Sequence, residues 1–417
     1  MKLIQCEINR RVIQVREDLT ILDACRLNNV NIPTLCHLEG CPVKGACRIC
    51  VVEVEGKKNC VPVCVSKVEE GMKIQTHSKR AIASRKMTLE LLLSNHSQDC
   101  LSCIRNQKCE LQSLAQELNI RQINQSGSKT EVHFDDLSNG IIRDSSKCIL
   151  CGRCIDTCKS IQGLGVLNYM HRGFETRVGP VLDLSLSQVN CIQCGQCILN
   201  CPVGALSEKE EIHEVIEALN DPYKHVIVQT APAVRASLGE EFGYPIGTSV
   251  TGKMVSALKR VGFDRVYDTD FAADLTIIEE GHELLHRLEK NENLPLITSC
   301  SPGWINYCEK EYPEILNHLS SCKSPHMMFG AILKTYYAKT HFIDPKDVVV
   351  VSIMPCTAKK DEKNREENKG TYGKDVDYVL TTRECARLIK LYGIDFARLE
   401  DEPFDQDMFG ESSGAGV

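Results

Sequence analysis

The chain has 417 residues, 42% of them hydrophobic, a net charge of −7 and 24 cysteines. Such a length accommodates roughly two to four domains with a sizeable core. The acidic balance gives no reason to expect nucleic acid. No apolar run approaches the roughly 18 residues of a membrane span, and the Met1–Glu7 start lacks the pattern of a secretion signal. Many cysteines without export point to metal ligation in a reducing cytosol rather than to disulfides.

The first stretch, 1–78, opens with β-like runs at Leu3–Ile8 and Arg11–Val15, and Thr20 is placed to cap a helix reaching about Asn28. Cys36, Cys47, Cys50 and Cys64 follow, separated by ten, two and thirteen residues. The Gly45–Cys50 loop leads into a strand at Val51–Val54. This arrangement resembles the [2Fe–2S] ferredoxin module with a β-grasp fold, in the variant carried by large redox enzymes. The resemblance implies ligation by Cys36, Cys47, Cys50 and Cys64. Cys41 and Cys60 lie nearby and compete as ligands; Cys36 and Cys64 are preferred because each ends or follows a strand-like run. Cys6, Cys25, Cys41 and Cys60 are expected to be small buried hydrophobes.

In 79–119, Met87–Leu93 has helical spacing through Leu89, Leu92 and Leu93. His96, Cys100, Cys103 and Cys109 then make four ligands. By ligand set alone a Cys₃His zinc site competes. The spacing resembles the His-Cys₃ [4Fe–4S] module shared by respiratory complex I and certain hydrogenases. A neutral imidazole in place of a thiolate should raise that cluster's potential. The polar stretch Arg121–Lys129 reads as a linker or exposed loop.

Residues 138–207 carry two runs, Cys148-x-x-Cys151-x-x-Cys154-x-x-x-Cys158 and Cys191-x-x-Cys194-x-x-Cys197-x-x-x-Cys201-Pro202. This is the bacterial ferredoxin pattern written twice, in which the fourth cysteine of each run ligates the other cluster. Cys148, Cys151, Cys154 and Cys201 would hold one [4Fe–4S] cube, and Cys191, Cys194, Cys197 and Cys158 the second. Closed zinc sites favour two separated pairs, so zinc suits this doubled run poorly. Gly152 and Gly195 leave room beside the inorganic sulfurs, and Pro202 turns the chain away. The Met170–Leu186 segment, with its Gly179-Pro180 turn, is long for a simple ferredoxin and acquires no function from the pattern.

From 208 to 417 the pattern changes. Ser207-x-x-Glu210 reads as a capping box before the stripe Ile212, Val215, Ile216 and Leu219, which ends at Asp221-Pro222. Strand-like runs at His225–Gln229, Leu296–Thr298 and Val348–Ile353 alternate with helical stretches at Lys253–Val261, Thr276–Leu288 and Met327–Ala338. Continuous β-branched runs suit buried parallel strands. In such sheets ligands bind at the carboxyl rim, here the loops Thr230–Pro232, Ser299–Trp304 and Met354–Cys356. The fold class is multi-domain, α+β and α/β.

Thr298-Ser299-Cys300-Ser301-Pro302-Gly303-Trp304 and Met354-Pro355-Cys356-Thr357-Ala358-Lys359-Lys360 resemble the first two signatures of iron-only hydrogenases. The whole chain is similar to the long form of that family with four accessory clusters. The resemblance implies reversible H2 formation and oxidation at an H-cluster, a [4Fe–4S] cube bridged to a two-iron site. It implies that Cys356 ligates the cube, that Lys359 hydrogen-bonds a cyanide, and that Ala231, Pro232 and Met354 line the two-iron pocket. It also implies a proton route through Cys300, Glu280, Ser320 and Glu283, with Arg287 near its mouth. Glu280 and Glu283 are three apart and share a helix face. Implied partners are ferredoxin or NAD(P)H-oxidising flavoprotein subunits; an H2-sensing or electron-transfer protein without turnover is the alternative.

Two features depart from the family pattern. The usual pair of cysteines is Cys300-Ser301, so either Ser301 ligates weakly, the loop shifts and Cys300 ligates, or the cube is altered. The third signature, which supplies two further cysteines, is not met before Val417, and the expectation is of a C-terminally incomplete sequence.

Overall fold

The computed structural model describes residues 2–125 and 127–406. The chain divides into two compact units, Met1–Asn190 with Gln196–Ser207, and Cys191–Gly195 with Glu208–Val417.

In the first unit, β1 (Leu3–Ile8) and β2 (Arg11–Arg16) form an antiparallel hairpin. With β3 (Val51–Val54), β4 (Val61–Pro62) and β5 (Lys73–Gln75) they make a sheet in the order β2-β1-β5-β3-β4, in which β1 and β5 run parallel. α1 (Ile21–Leu27) starts where Thr20 and Asp23 cap each other reciprocally. Its Ile21, Leu22 and Cys25 pack into the core with Ile4, Val52 and Ile74. Cys6 and Cys25 are buried as expected, but Cys41 and Cys60 are only half-buried, because both lie outside the strands and helices. α2 (Lys79–Asn95) begins well before the Met87–Leu93 run, capped by Ser78. Its buried Arg85 donates to the carbonyls of Val51 and Thr76, fastening helix to sheet.

α3 (Glu110–Glu117) follows directly on Cys109. β6 (Phe134–Asp135) and β7 (Ile141–Asp144) join β10 (Leu206–Glu208) in a sheet ordered β10-β7-β6. Short helices α4 (Arg153–Asp156) and α5 (Gln196–Asn200) carry Cys154 and Cys197. Between them lies a hairpin, β8 (Asn168–Met170) with β9 (Arg177–Gly179).

The second unit is built on a four-stranded parallel sheet ordered β12-β11-β13-β16, comprising β11 (His225–Thr230), β12 (Arg265–Asp268), β13 (Val348–Met354) and β16 (Tyr378–Thr381). Val226, Val228, Val350 and Ile353 occupy its middle and are essentially inaccessible. Around it run α6 (Ile212–Asn220), α7 (Pro232–Ser237), α8 (Thr251–Val261), α9 (Asp270–Lys290), α10 (Pro302–Glu311), α11 (Pro325–Ile332), α12 (Ala338–Thr340), α13 (Ala358–Glu362) and α14 (Thr382–Leu391). A small ribbon, β14 (Lys369–Gly370) and β15 (Gly373–Lys374), completes it.

Two expectations are corrected. The Leu296–Thr298 run is not a strand of the sheet. Ile297 N donates to His318 O and Ser320 N donates to Ile297 O, so the segment pairs with residues 318–320, beyond α10, through a parallel bridge to Leu319. The sheet's edges are instead the short β12 and β16. The capping box at Ser207 does not form, because Ser207 lies in β10 and Glu210 is held by Arg387 at 2.8 Å. α9 also extends beyond the expected 276–288, and a π turn at Leu333–Tyr337 separates α11 from α12.

Candidate functional site

Four cysteines of the first unit meet at one point. Cys36 hydrogen-bonds the thiols of Cys47 and Cys64, and the Cys50 and Cys64 sulfurs are 3.4 Å apart. Backbone amides also converge on them, those of Ala46 and Cys47 on Cys36 and that of Ile49 on Cys47. Donation from neighbouring thiols pulls Cys36 and Cys50 toward thiolate, while the same contacts push Cys47 and Cys64 up. A sulfur-rich knot fed by amide donors fits an iron–sulfur cluster. Cys41 and Cys60 have no part in it.

His96 is buried, and its Nδ1 has no hydrogen-bond partner. Burial, reinforced by Lys147, pushes its pKa down, so the ring stays neutral and able to ligate. Cys109 is buried, Cys103 half-buried and Cys100 exposed. A Cβ on Gly204 would sit 2.6 Å from the Cys103 sulfur, so glycine is needed there.

Cys148, Cys151, Cys154 and Cys201 line a single cavity with Ile149, Leu167, Val178 and Val203. Burial pushes Cys148 up to about 11 and Cys151 up to about 12. Ionising these thiols therefore needs a cation in the cavity, which is what cluster iron supplies. Lys44 donates to Gly152 O at 2.9 Å and pairs with Asp156 at 2.9 Å. Arg153 pairs with Glu110 through two hydrogen bonds of 2.6 and 2.9 Å. α4 is thereby tied to both preceding cysteine modules. Of the second expected set, Cys158 and Cys197 belong to the first unit, and Cys191 and Cys194 to the second.

In the second unit, two of the three expected rim loops lie at strand tips. Ala231 N donates to Ile353 O at 3.0 Å, so the β11 and β13 tips are side by side. Ala231 and Met354 are buried, and Pro232 is exposed. Lys359 donates to Cys300 O and pairs with Glu362, both at 2.8 Å, which joins the two signature loops. Thr357 Oγ1 donates to Gln193 O at 2.7 Å, and a Cβ on Gly195 would collide with the same side chain. The loop bearing Cys191 and Cys194 is thus packed on the loop bearing Cys356. Ser301 takes the N-cap position of α10 but makes no side-chain cap, and Cys300 is exposed.

The expected proton route is connected in two pieces. Glu283 accepts from Ser320 Oγ at 2.9 Å and from Arg287 at 2.5 Å. Burial would raise Glu283, but those hydrogen bonds hold it below its ordinary value. Glu280 accepts from Thr298 Oγ1 at 2.8 Å. Among the described residues no hydrogen bond joins the Cys300 thiol to Glu280. A cavity of about 800 Å³, open mouth included, is lined by Ser299, Ser320, Cys322 and Glu362.

Sequence reasoning missed a buried chain behind Lys359. His326 Nε2 lies 2.6 Å from Glu362, and its Nδ1 lies 3.3 Å from Ser352 Oγ. Burial and the Lys359 charge push His326 down, so a neutral imidazole donates Nε2–H to Glu362 and accepts from Ser352. Burial would raise Glu362, yet its partners hold it down at about 2. The one available signal was Glu362 standing three residues after Lys359 on a helix.

The C-terminal domain of the iron-only hydrogenase large subunit matches residues 224–417. A 2Fe-2S iron-sulfur cluster binding domain matches 1–79, the iron-sulfur binding region of NADH-ubiquinone oxidoreductase-G matches 85–124, and a 4Fe-4S dicluster domain matches 147–205. The chain is 49% identical to NADP-reducing hydrogenase subunit HndD of Solidesulfovibrio fructosivorans, across 100% of this chain and 73% of that protein. It is 43% identical to iron hydrogenase 1 of Clostridium pasteurianum, across 98% and 71% respectively. Among solved structures, apo [FeFe]-hydrogenase HydA1 of Chlamydomonas reinhardtii matches 49% of this chain and 53% of its own at 43% identity, with a TM-score of 0.46.

Proposed function

Given that the chain belongs to the iron-only hydrogenase family, we infer how its own residues serve the reversible formation and oxidation of H2 at an H-cluster fed by an iron–sulfur relay. Sixteen cysteines and His96 hold the metal centres, and either Cys300 or Ser301 stands beside Cys356 as a further ligand. Residues 1–78, on a β-grasp-like sheet, hold a [2Fe–2S] cluster through Cys36, Cys47, Cys50 and Cys64. Residues 79–119 hold a [4Fe–4S] cluster through His96, Cys100, Cys103 and Cys109. Residues 138–207 hold two more, through Cys148, Cys151, Cys154 and Cys201, and through Cys191, Cys194, Cys197 and Cys158. Residues 208–417 form the H-cluster domain, with Cys356 and the Cys300-Ser301 pair at the cube. When bound, the H-cluster supplies the redox site at which two protons and two electrons interconvert with H2.

The remaining tasks fall to side chains. Lys359, anchored by Glu362 and Cys300 O, presents a fixed cation to an anionic ligand. Ala231 and Met354 give the pocket apolar walls, with Pro232 at its edge. Glu283, kept ionised, takes a proton from Ser320 or passes one toward the Arg287 mouth, and Glu280 and Cys300 carry the inner end of the route. In line with the NADP-reducing relative, electrons are exchanged with a ferredoxin or an NAD(P)H-oxidising flavoprotein subunit in the cytoplasm. No helix among the described residues is long and apolar enough to cross a membrane.

The observation that carries this reading is the meeting, within one unit, of the Gln193–Gly195, Cys300 and Cys356–Lys359 loops. The test is H2 production by the matured holoenzyme from a chemically reduced donor. Cys300→Ala should suppress turnover and leave the accessory-cluster EPR signals in place; unchanged turnover would overturn the role given to Cys300.

A further inference from the structure

The Met170–Leu186 insertion, left without a role by the ferredoxin pattern, leans on a buried cation. Arg143, on β7, is 3% exposed and lines the cavity of Cys148, Cys151, Cys154 and Cys201. Its Nη1 donates to Val178 O at 3.0 Å, and its Nη2 lies 3.2 Å from His133 Nδ1. Its Nε is buried with no partner. Asp135, the nearest carboxylate, stands off at 3.8 Å. That carboxylate is occupied by the insertion itself, accepting from Ser185 Oγ at 2.6 Å and Leu186 N at 3.0 Å. The other charged residue lining the cavity, Asp144, is neutralised by Lys147 at 3.0 Å and accepts from Ser146 Oγ. The cavity wall therefore carries a buried guanidinium, ion-paired to Asp135 at 3.8 Å and acted on less by Asp183, with one N–H that makes no hydrogen bond.

The insertion fixes where that charge sits. Val178 supplies both a cavity wall and the carbonyl that holds the guanidinium. A Cβ on Gly179 would lie 2.9 Å from Arg143 Nη1 and 3.3 Å from its Cζ, so the guanidinium packs into space that only glycine leaves. Gly179 does not have a left-handed backbone, so steric room, not conformational freedom, explains the glycine.

We propose that Arg143, clamped by the insertion, is a redox-tuning residue for the cluster held by Cys148, Cys151, Cys154 and Cys201. This rests on that ligand assignment. A cluster's potential responds to net charge, hydrogen bonds to its sulfurs and solvent exposure. Reduction adds one negative charge to the cluster. A buried cation with a spare N–H stabilises the reduced form and raises its potential relative to an unassisted ferredoxin cube.

The test is an anaerobic redox titration of the holoenzyme followed by EPR. In Arg143→Met one [4Fe–4S] signal should need at least tenfold stronger reducing conditions, 59 mV for one electron. Arg143→Lys should show a smaller shift, and Gly179→Val a shift in the same direction although no charge is removed. The [2Fe–2S] signal should not move. Cys148→Ser identifies the cluster, because it should abolish or alter the same signal. Wild-type potentials throughout in Arg143→Met and Gly179→Val, with Cys148→Ser still altering one signal, would overturn the tuning role and leave the ligand assignment standing. A shifted signal that survives Cys148→Ser would overturn the ligand assignment, and the proposal with it. Should Arg143→Met lose iron, Arg143→Lys and Gly179→Val decide the matter by the same criterion.

Discussion

Replacing Glu362 by glutamine tests the buried anchor of Lys359. Glutamine keeps an acceptor for the His326 Nε2–H but removes the charge facing Lys359 at 2.8 Å. The carboxyl is held at about 2, against roughly 4.3 for a free glutamate. Two or so units at about 1.4 kcal/mol each give about 3 kcal/mol of coupling. That coupling is shared between His326 and Lys359, and losing one partner of a buried pair costs on the order of 3–5 kcal/mol. The expected loss at pH 7 is therefore about 3 kcal/mol. A carboxylate with a lowered folded pKa stabilises fully above its unfolded value and loses that contribution as pH falls through the folded one. The difference between the native chain and Glu362→Gln should thus be constant from pH 7 to about 4.5 and shrink toward about 2. Trp304, the single tryptophan, lies in the second unit, so its fluorescence during urea unfolding reports that unit alone. A loss under about 1 kcal/mol at pH 7, or a gap that widens below pH 4.5, would refute the reasoning.

Three other outcomes follow from the geometry. Cys36→Ser or Cys64→Ser should abolish or broaden the [2Fe–2S] EPR signal, whereas Cys41→Ser and Cys60→Ser should leave it intact; the reverse result would move the site. Glu283→Gln should lower H2 turnover by roughly 10²–10⁴ with unchanged accessory signals, because Ser320 and Arg287 then face no base; a loss under about threefold would remove Glu283 from the proton route. Gly152→Ala should deplete one cluster's worth of iron, because Gly152 has φ +74° and an added Cβ would lie 2.5 Å from Lys44 Nζ; full iron content would show that the loop yields.

The cysteine spacings were legible because ligation fixes sequence intervals directly, and the alternation of β1 and β2 and the Thr20 cap are local properties. The Leu296–Thr298 run misled because three residues say nothing about which neighbour they pair with; here the partner is the stretch 318–320. β12 and β16 are four residues each, too short for a pattern to announce them. His326 was invisible for another reason. Its meaning comes from Glu362 and Ser352, 36 and 26 residues away, and only the folded chain assembles them. Arg143 is the same case, a lone basic residue until the distant hairpin closes over it.

The sulfur knot of Cys36, Cys47, Cys50 and Cys64 carries a hazard as well as a cofactor. With the Cys50 and Cys64 sulfurs 3.4 Å apart, a two-electron oxidant reaching the iron-free polypeptide would join them as a disulfide with loss of two protons. Once joined, they are unavailable to iron. Loading this corner of the protein is therefore a race between metallation and air.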